Sequence, residues 1–314
     1  MLYYKARFGR GLLGRGSGLG NRLFPWSRYR IFAEFNTGAS IAPIWMRPAV
    51  GQLWRGGISY RDYLRQLVLF GLFRKRDDEL GVIVGNLSAI GAVRVAEPMD
   101  PATAISTAAY PGRDVKVVFE GYERYFRPLN GWDEFLLREL RATAKSAYRN
   151  MADEWGEIPV GICVRCGNDF KAPEGDCARL KPGERTPVPW FTQSLALIRR
   201  VVGRPVRAFV VSDGTRHQLR ELLEMEDVVF VRPGCAISDL LALARARVLL
   251  VSGSSSFCAW ASFLGQMPSI SHAGQPLADW GIEPRCGQYM GEFDPQNPDL
   301  TFLTQARQTL LLLT

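Results

Sequence analysis

The feature that most constrains the fold is a regular alternation of short apolar runs and amphipathic segments in the second half of the chain. The apolar runs predict strands at residues 158–164, 206–211, 228–231, 248–251 and 269–271, and the intervening segments predict helices at 189–202, 216–225, 238–246 and 256–265. Runs that are apolar at every position are typical of parallel strands buried on both faces. Strands that alternate with helices of ~10–15 residues indicate a doubly wound parallel sheet.

The first half begins with a similar arrangement. A strand over Tyr3–Phe8 is followed by a glycine-rich loop at 9–20, a helix at 22–36 capped by Asn21, and a strand over Ser40–Trp45. This order of strand, glycine loop, helix and strand is that of a Rossmann-like half. Farther along, the sequence predicts a helix over Tyr60–Phe73 and strands over Gly81–Val84, Ala92–Ala96 and Val115–Phe119.

The segment Trp132–Trp155 is rich in Leu, Arg, Glu and Ala, and predicts one long amphipathic helix that crosses between two domains. A chain of 314 residues is long enough for two ordinary domains, each with its own core. We therefore predict an N-terminal Rossmann-like domain over 1–155 and a C-terminal domain over 156–314. The fold class is α/β, with the two domains facing across a cleft.

The chain carries 39 Lys and Arg against 31 Asp and Glu, which gives a formal charge of +8. This excess suits an anionic partner such as a nucleotide, an acidic glycan or the face of an anionic membrane. It is too mild and too dispersed to indicate nucleic-acid binding, so no nucleic-acid partner is expected.

Six cysteines are scattered along the chain without the dense spacing of a disulfide framework. Cys163 and Cys166 form a C-x-x-C, but neither a second pair nor the two histidines, His217 and His272, completes a zinc site. The first residues lack an apolar core of signal-peptide length, and no run of about 18 apolar residues occurs. We therefore expect a cytoplasmic protein with reduced thiols that also acts at the inner face of the membrane. The segment Leu300–Leu313 is expected to be a packing helix.

Arg165 is the first candidate for a functional side chain. It follows the predicted buried strand at 158–164, and open α/β sheets bind their ligands at the carboxyl ends of strands. A guanidinium at that position can form forked hydrogen bonds to a phosphate or a carboxylate. The alternative is an arginine paired with a structural aspartate.

Two further strand ends carry polar turns. The turn Ser252–Phe257, Ser-Gly-Ser-Ser-Ser-Phe, opens a predicted helix, and small hydroxyl residues with backbone N–H groups at a helix N-terminus suit a phosphate. Asp213 follows the strand at 206–211 and Asp239 opens the helix at 238–246, so either could contact a ribose or a base. A serine-rich cap, and aspartates that cap helices, are the alternatives.

The glycine-rich loop contains a G-x-G-x-x-G pattern at Gly9–Gly14, which raises the alternative of an NAD-dependent oxidoreductase. In a dinucleotide-binding fold the third glycine lies in the helix, whereas more glycines follow here. No Gly-Lys-Ser/Thr follows, so the loop is not a P-loop either. Arg10, Arg15 and Arg22 nearby favour an anionic ligand for this flexible loop.

Four segments together resemble the metal-independent GT-B-type fucosyltransferases that use GDP-fucose, including α-1,2- and α-1,6-fucosyltransferases and protein O-fucosyltransferases. Residues 18–24, Gly-Leu-Gly-Asn-Arg-Leu-Phe, are similar to the G-L-G-N-Q-L-F opening of the α-1,2 enzymes. Residues 163–170 resemble their H-x-R-R-G-D segment and the H-V-R-H-G-N form of bacterial α-1,6 enzymes. Residues 211–213 resemble the S-D element, and 238–257, with Trp260, resemble the D-L-x-L-M-S … N-S-T-F-S-W-W block.

The resemblance implies a GT-B fold and a role for each matched residue. Arg165 would hold the donor β-phosphate, and Asp213 and Asp239 would lie near the nucleoside. The implied residues around the diphosphate are Ser254, Ser255, Ser256 and Phe257, and those of the acceptor-side loop are Gly18, Gly20, Asn21 and Arg22. Two positions depart from the family pattern, because Cys163 replaces the histidine before the arginine and Cys166 replaces the second arginine of the α-1,2 motif.

The predicted function is therefore glycosyl transfer, most simply of fucose from GDP-fucose, to a glycan hydroxyl in bacterial surface polysaccharide synthesis. The relatives need no metal, and no metal or other cofactor is expected here. Inversion requires a base that accepts the proton of the acceptor hydroxyl. Asp169 and Glu34 are both candidates for this base, and no sequence pattern selects between them. Besides the oxidoreductase, a nucleotide- or glycan-binding protein without catalysis remains an alternative, because the motif histidine is missing.

Overall fold

A computed structural model describes residues 1–8, 18–45, 73–122, 124–167, 169–174, 177–231, 235–285 and 287–312. The described residues divide into two compact units, of which the first contains the residues up to Lys145 and the second those from Ser146 onward. The glycine loop with Arg10 and Arg15, and nearly all of the predicted helix at 60–73, lie outside the described residues. None of the described helices is long and apolar enough to cross a membrane.

The first unit is built on a parallel sheet with the strand order β3-β2-β1-β5-β4. Its strands are β1 (Leu2–Ala6), β2 (Ala39–Ile41), β3 (Glu79–Leu80), β4 (Val93–Val95) and β5 (Val115–Phe119). Its helices are α1 (Leu19–Phe35), α2 (Val82–Ser88) and α3 (Asp133–Thr143). The predicted strands at Ala92–Ala96 and Val115–Phe119 are confirmed, and the unit is Rossmann-like in its β1-α1-β2 beginning.

Helix α1 is buried on nearly all sides. It begins three residues before the predicted start, with Gly18 as its N-cap, so Asn21 lies inside the first turn and does not cap the helix. The apolar side chains of Phe24, Tyr29 and Phe32 are fully enclosed. The helix is therefore part of the core of the first unit, where it packs against β1 and β5 and encloses the side chains of Arg22, Arg28 and Arg30 as well as its apolar residues.

Two predicted elements of the first half are wrong. The segment Gly81–Val84 is the start of α2, capped by Gly81, and the strand precedes it at β3. Its run of β-branched residues resembles a strand, but Gly85 lets the helix lie on β2, because a Cβ there would come within 2.8 Å of the Ile41 side chain. The predicted helix Trp132–Trp155 is broken at Ala144, whose extended backbone ends α3. A separate helix, α4 (Ser146–Asp153), begins the second unit.

The second unit contains a six-stranded parallel sheet with the order β8-β7-β6-β9-β10-β11. Its strands are β6 (Val160–Val164), β7 (Ala208–Ser212), β8 (Val228–Phe230), β9 (Val248–Val251), β10 (Ser269–Ser271) and β11 (Met290–Glu292). Its further helices are α5 (Val188–Val202), α6 (Arg220–Leu223), α7 (Ala236–Leu243), α8 (Ser256–Gly265) and α9 (Leu300–Leu311). If these six strands are numbered 1 to 6 along the chain, their spatial order across the sheet is 3-2-1-4-5-6, which is the strand order of a Rossmann fold.

The predicted alternation of the second half is confirmed, and β9, α8 and β10 have the predicted ends. The predicted helix at 216–225 shrinks to the single turn α6, and β11 was not predicted. Strands β6 and β9 are buried along their whole length, as expected for the centre of a parallel sheet. Helix α9 packs on this sheet through Phe302, Ala306 and Leu310, which confirms the predicted packing helix. The α/β fold class with two Rossmann-like units is therefore confirmed.

Candidate functional site

The strand order of the second sheet reverses between β6 and β9, which are paired neighbours in the centre of the sheet. The chain leaves β6 toward β7 on one side and leaves β9 toward β10 on the other. At such a switch point the connections diverge and leave a crevice at the carboxyl ends of the strands, which is where open α/β sheets bind ligands. Arg165 follows β6 and the Ser252–Phe257 turn follows β9, so both lie at the switch point.

Two hydrogen bonds join these strand ends. The Ser252 N–H donates to the carbonyl oxygen of Cys163 at 3.0 Å. In the other direction, the Arg165 N–H donates to the Ser252 Oγ at 3.1 Å. Because Ser252 is fully buried, its hydroxyl is a fixed part of the structure rather than a solvent-facing group. The turn after β9 therefore sets the position of the backbone that carries Arg165.

The side chain of Arg165 forms an ion pair with the next strand end. Its Nη1 lies 2.9 Å from Asp213 Oδ2, and 23% of the side chain is exposed. The guanidinium carbon lies 5.4 Å from the centre of the Phe170 ring, within cation–π range. The ion pair with an aspartate, which the sequence analysis named as the alternative role of Arg165, is therefore formed in the structure. A guanidinium carries five donors, so one ion pair is compatible with an anion contact by the same group.

Asp213 holds the Arg165 turn through both of its oxygens. Besides the ion pair, its Oδ1 accepts a hydrogen bond from the Cys166 N–H at 2.6 Å. A Cβ on Gly167 would lie 2.6 Å from Asp213 Oδ2, so the glycine allows this close approach. The carboxylate therefore orients Arg165 and does not cap a helix, since α6 begins only at Arg220.

The serine turn leads directly into α8. Ser255 is the N-cap, and its Oγ accepts a hydrogen bond from the Cys258 N–H at 3.4 Å. Ser254 and Ser256 are partly exposed, whereas Phe257 is buried. The first N–H groups of a helix have no partner within the helix and carry the positive end of its dipole. The start of α8 therefore favours an anion at the edge where Arg165 lies.

A loop that the sequence analysis missed supports the serine turn from the β10 side. The indole Nε1 of Trp280 donates to the Gly253 carbonyl oxygen at 2.7 Å. A Cβ on Gly253 would lie 1.8 Å from the carbonyl oxygen of Gln275, so only glycine fits there. The buried Gln275 side chain is itself fixed, because its Nε2 donates to the carbonyls of Lys181 and Glu184. No motif marks Trp280 or Gln275, so only their position in the fold identifies them.

A second basic side chain, Arg185, lies near the Arg165 turn and was also missed. Its Nε donates to the carbonyl oxygen of Phe170 at 2.8 Å. Its charge acts on the thiol of Cys166, the residue that replaces the second arginine of the family motif. Burial and the charge of Asp213 outweigh that influence and raise the pKa of Cys166, so this thiol stays neutral at physiological pH and supplies no charge to the site.

The remaining predicted residues of the second unit have different surroundings. Asp239 lies in the first turn of α7 and is 1% exposed. Because α7 runs antiparallel to the strands after β8, its first turn lies at the carboxyl end of the sheet. The capping interactions of this helix involve Ser238 and Cys235, not Asp239. Asp169 is exposed on the turn that follows Arg165.

The predicted acceptor-side residues lie at the start of α1 in the first unit. Gly18 is the N-cap, and Gly20 and Asn21 belong to the first turn. Arg22 is only 3% exposed, and its Nη1 donates to the carbonyl oxygen of Trp45 at 3.0 Å. Its guanidinium carbon lies 5.8 Å from the centre of the Phe8 ring. Arg22 thus packs within the first unit, whereas the G-x-G-x-x-G pattern at Gly9–Gly14 lies outside the described residues.

Within the described part of the chain, no cluster of three or more His, Cys, Asp or Glu side chains is arranged to hold a metal ion. The positive groups gathered at the switch point are Arg165 and the first N–H groups of α8. The arrangement can therefore bind an anion with a guanidinium on one side and backbone N–H groups on the other.

Several solved structures are similar to this one. One is POFUT1 in complex with GDP-fucose, with 12% sequence identity over 86% of this chain and 97% of that chain and a TM-score of 0.45. Another is the fucosyltransferase NodZ from Bradyrhizobium, with 14% identity over 85% and 93% of the two chains and a TM-score of 0.48. A third is NodZ alpha-1,6-fucosyltransferase soaked with GDP-fucose, with 14% identity over 86% and 94% and a TM-score of 0.49.

No protein-family model matches the chain, and no curated protein sequence matches it either.

Proposed function

We propose that the chain is a glycosyltransferase that moves a sugar from a nucleoside diphosphate sugar to a glycan hydroxyl, with GDP-fucose as the favoured donor. The observation that carries the proposal is the junction of Arg165 with the serine turn at the switch point of a Rossmann-ordered sheet. The resemblance to the fucosyltransferase motifs implies a β-phosphate contact and diphosphate contacts on these same two segments.

The proposed chemistry needs charge stabilisation at this edge. When the bond between the sugar and the β-phosphate breaks, negative charge develops on the leaving nucleoside diphosphate. Arg165 and the N–H groups near Ser254–Phe257 would stabilise that charge, because oriented donors act most strongly where charge forms in the transition state. Asp213 fixes the guanidinium through its ion pair, so little reorganisation is needed when the donor binds. This arrangement supports transfer without a divalent metal.

An inverting reaction further requires a base that takes the proton of the acceptor hydroxyl. Asp169 is the proposed base because it is exposed and follows Arg165 by four residues in the same turn. Glu34, exposed near the end of α1, is the alternative in the first unit. Gly18, Gly20 and Asn21 are proposed acceptor-side residues. Arg22 would act there by holding the start of α1 in place rather than by direct contact.

The proposed setting is surface polysaccharide synthesis in a bacterium, on the cytoplasmic side of the membrane. The net charge of +8 is the feature that supports contact with an anionic membrane surface. Vesicle flotation with and without acidic lipid tests that contact. Equal recovery with neutral and acidic vesicles would contradict it.

A thermal-shift panel tests the donor class directly. A ligand that binds only the folded protein raises its melting temperature. We expect GDP and GDP-fucose to raise the melting temperature more than UDP, CMP or NAD. A shift with NAD or NADH that survives the Arg165→Ala substitution would instead support the oxidoreductase.

Transfer is then measured with GDP-fucose and a glycan panel, by release of GDP. The replacement of the motif histidine by Cys163 favours a second candidate, a nucleotide-binding protein without catalysis. Saturable GDP binding without GDP release across the panel would support that candidate over the transferase.

A further inference from the structure

Two buried thiols touch beneath the serine turn. Cys163 lies in β6 and Cys258 in the first turn of α8, 95 residues later, and their sulfur atoms are 2.8 Å apart. Cys258 Sγ also lies 3.7 Å from the carbonyl oxygen of Cys163. The relative exposure of the two residues is 1% and 0%.

We propose that Cys163 and Cys258 are a redox pair that a peroxide converts into a disulfide. A disulfide requires Cβ atoms ~3.5–4.5 Å apart and side chains directed at each other. The two sulfur atoms are 2.8 Å apart and a disulfide bond is ~2.05 Å long, so they need to approach by only ~0.8 Å. A cross-link between these residues would therefore leave the fold of the second unit as it is.

The chemistry balances with hydrogen peroxide as the two-electron oxidant. One thiol attacks the peroxide, the O–O bond breaks, and a sulfenic acid and one water form. The second thiol then attacks the sulfenic sulfur, its proton leaves with the displaced hydroxide as a second water, and the S–S bond forms. Two thiols are oxidised and one peroxide is reduced to two waters.

The reaction is expected to be slow in the resting protein. A hydrogen bond with Cys258 and burial both hold the pKa of the Cys163 thiol well above its usual range. Burial also raises the pKa of Cys258, but its hydrogen bonds with Cys163 and Ser255 outweigh burial and lower it, so Cys258 is the thiol that attacks the peroxide. Because the thiolate is the reactive form, oxidation depends on small oxidants and on brief local opening.

The sulfur atoms of two other described cysteines, Cys166 and Cys235, have hydroxyl groups as their hydrogen-bond partners. Cys235 is fully buried as well, but its sulfur donates a hydrogen bond to a hydroxyl group, the Ser238 Oγ, at 3.5 Å. The Cys166 sulfur lies 4.0 Å from the Ser212 Oγ. Cys177 is exposed, and Cys286 lies outside the described residues. Cys235 is thus an internal control for a thiol that is buried but not paired.

The pair joins the two segments of the candidate site. The Cys163 carbonyl accepts the Ser252 N–H, and the Cys258 N–H donates to Ser255. A disulfide would therefore tie the strand that carries Arg165 to the helix that begins at the serine turn. An effect on donor binding rests on the proposed function, whereas formation of the bond does not.

Differential alkylation of the wild-type protein tests the pair. After peroxide treatment, free thiols are blocked in denaturant, disulfides are reduced, and the released thiols receive a second label for peptide mass spectrometry. We expect Cys163 and Cys258 to carry the second label together, several-fold more than Cys235, and a non-reduced digest to contain the peptide linked between them. The oxidised protein should melt several degrees higher until a reductant reverses the change.

The matched variant is Cys258→Ser, which should abolish the linked peptide and leave the label on Cys235 unchanged. Equal labelling of Cys163, Cys258 and Cys235, or a linked peptide that joins Cys163 to any other cysteine, would overturn the pair. Because the readout contains no nucleotide, these outcomes are independent of whether GDP binds.

Discussion

The two ends of the second sheet both carry arginines, but they differ in what surrounds them. At the amino end a groove of about 590 Å³ is lined by Glu157, Arg245 and Arg247 among others. Arg245 donates to the carbonyls of Ala152 and Gly156 and pairs with Asp153 at 2.9 Å. Arg247 lies 3.4 Å from Glu157. These arginines tie α4 and the following loop to the sheet.

At the carboxyl end Arg165 pairs with Asp213 and lies beside the turn that leads into α8. The ends of α7 and α8 lie at the amino end of the sheet, where Ala244 and Gly265 line the groove. Because helix starts favour anions and helix ends favour cations, the same residue type serves different purposes at the two ends. The presence of a cavity therefore does not distinguish the two ends, whereas helix direction and strand order favour the carboxyl end as the candidate anion site.

The largest difference in GDP affinity is expected when one arginine at each end of the sheet is replaced by alanine. Arg165→Ala should weaken GDP binding by ~2–4 kcal/mol, because it removes a charged hydrogen bond to phosphate. Arg245→Ala should lower stability but leave the dissociation constant for GDP unchanged. Calorimetric titration of both variants measures the difference. Equal losses of affinity would show that the comparison of the two ends is wrong.

A glycine at each end sharpens the comparison further. A Cβ on Gly253 would lie 1.8 Å from the Gln275 carbonyl oxygen, and one on Gly265 would lie 2.5 Å from the Ala244 carbonyl oxygen. Both alanine substitutions should destabilise the fold, by roughly 1–3 kcal/mol, because backbone must move. Denaturant unfolding measures this, and GDP titration should show weaker binding for Gly253→Ala alone. If Gly265→Ala weakens GDP binding as much, the serine turn has no special role.

Asp213→Asn tests whether the carboxylate positions Arg165. The amide keeps the shape but removes the charge that holds the guanidinium, so GDP binding should weaken by about 1–2 kcal/mol. The matched control is Asp153→Asn, which removes the partner of Arg245 and should leave GDP affinity unchanged. Tighter GDP binding by Asp213→Asn would mean that the ion pair competes with the phosphate instead of supporting the arginine.

The smallest effect is expected for Trp280→Phe. This substitution keeps an aromatic ring but removes the N–H that donates to Gly253, a loss of ~0.5–1.5 kcal/mol for a typical hydrogen bond. The melting temperature should fall slightly and GDP should bind a few-fold more weakly. An unchanged affinity at a lowered melting temperature would limit Trp280 to a structural role.

Much of the second sheet could be predicted because its signals are local. The apolar run of β6 and the serine cap of α8 specify their elements without help from the rest of the chain. The prediction failed where tertiary contacts decide. The β-branched start of α2 resembles a strand, and the break after α3 depends on Ala144 pairing with Phe73, far away in sequence.

The candidate site shows the same division. Arg165, Asp213 and Ser252–Phe257 could be found because each follows a predicted strand. Their contacts with one another depend on strand order and loop packing, and so do the contacts of Trp280 and Gln275 with the serine turn. Neither strand order nor loop packing can be deduced from a single sequence. The contact between Cys163 and Cys258 likewise depends on the pairing of β6 with β9, the strand that leads into α8, and not on sequence spacing.

A crystal structure of the protein with GDP tests the central claim most directly. We predict that the diphosphate lies at the switch point, with its β-phosphate within hydrogen-bonding distance of the Arg165 guanidinium and of N–H groups at the start of α8. GDP bound elsewhere, for example in the amino-end groove beside Arg245, with no contact to Arg165 or the serine turn, would contradict the proposed donor site and the transferase built on it.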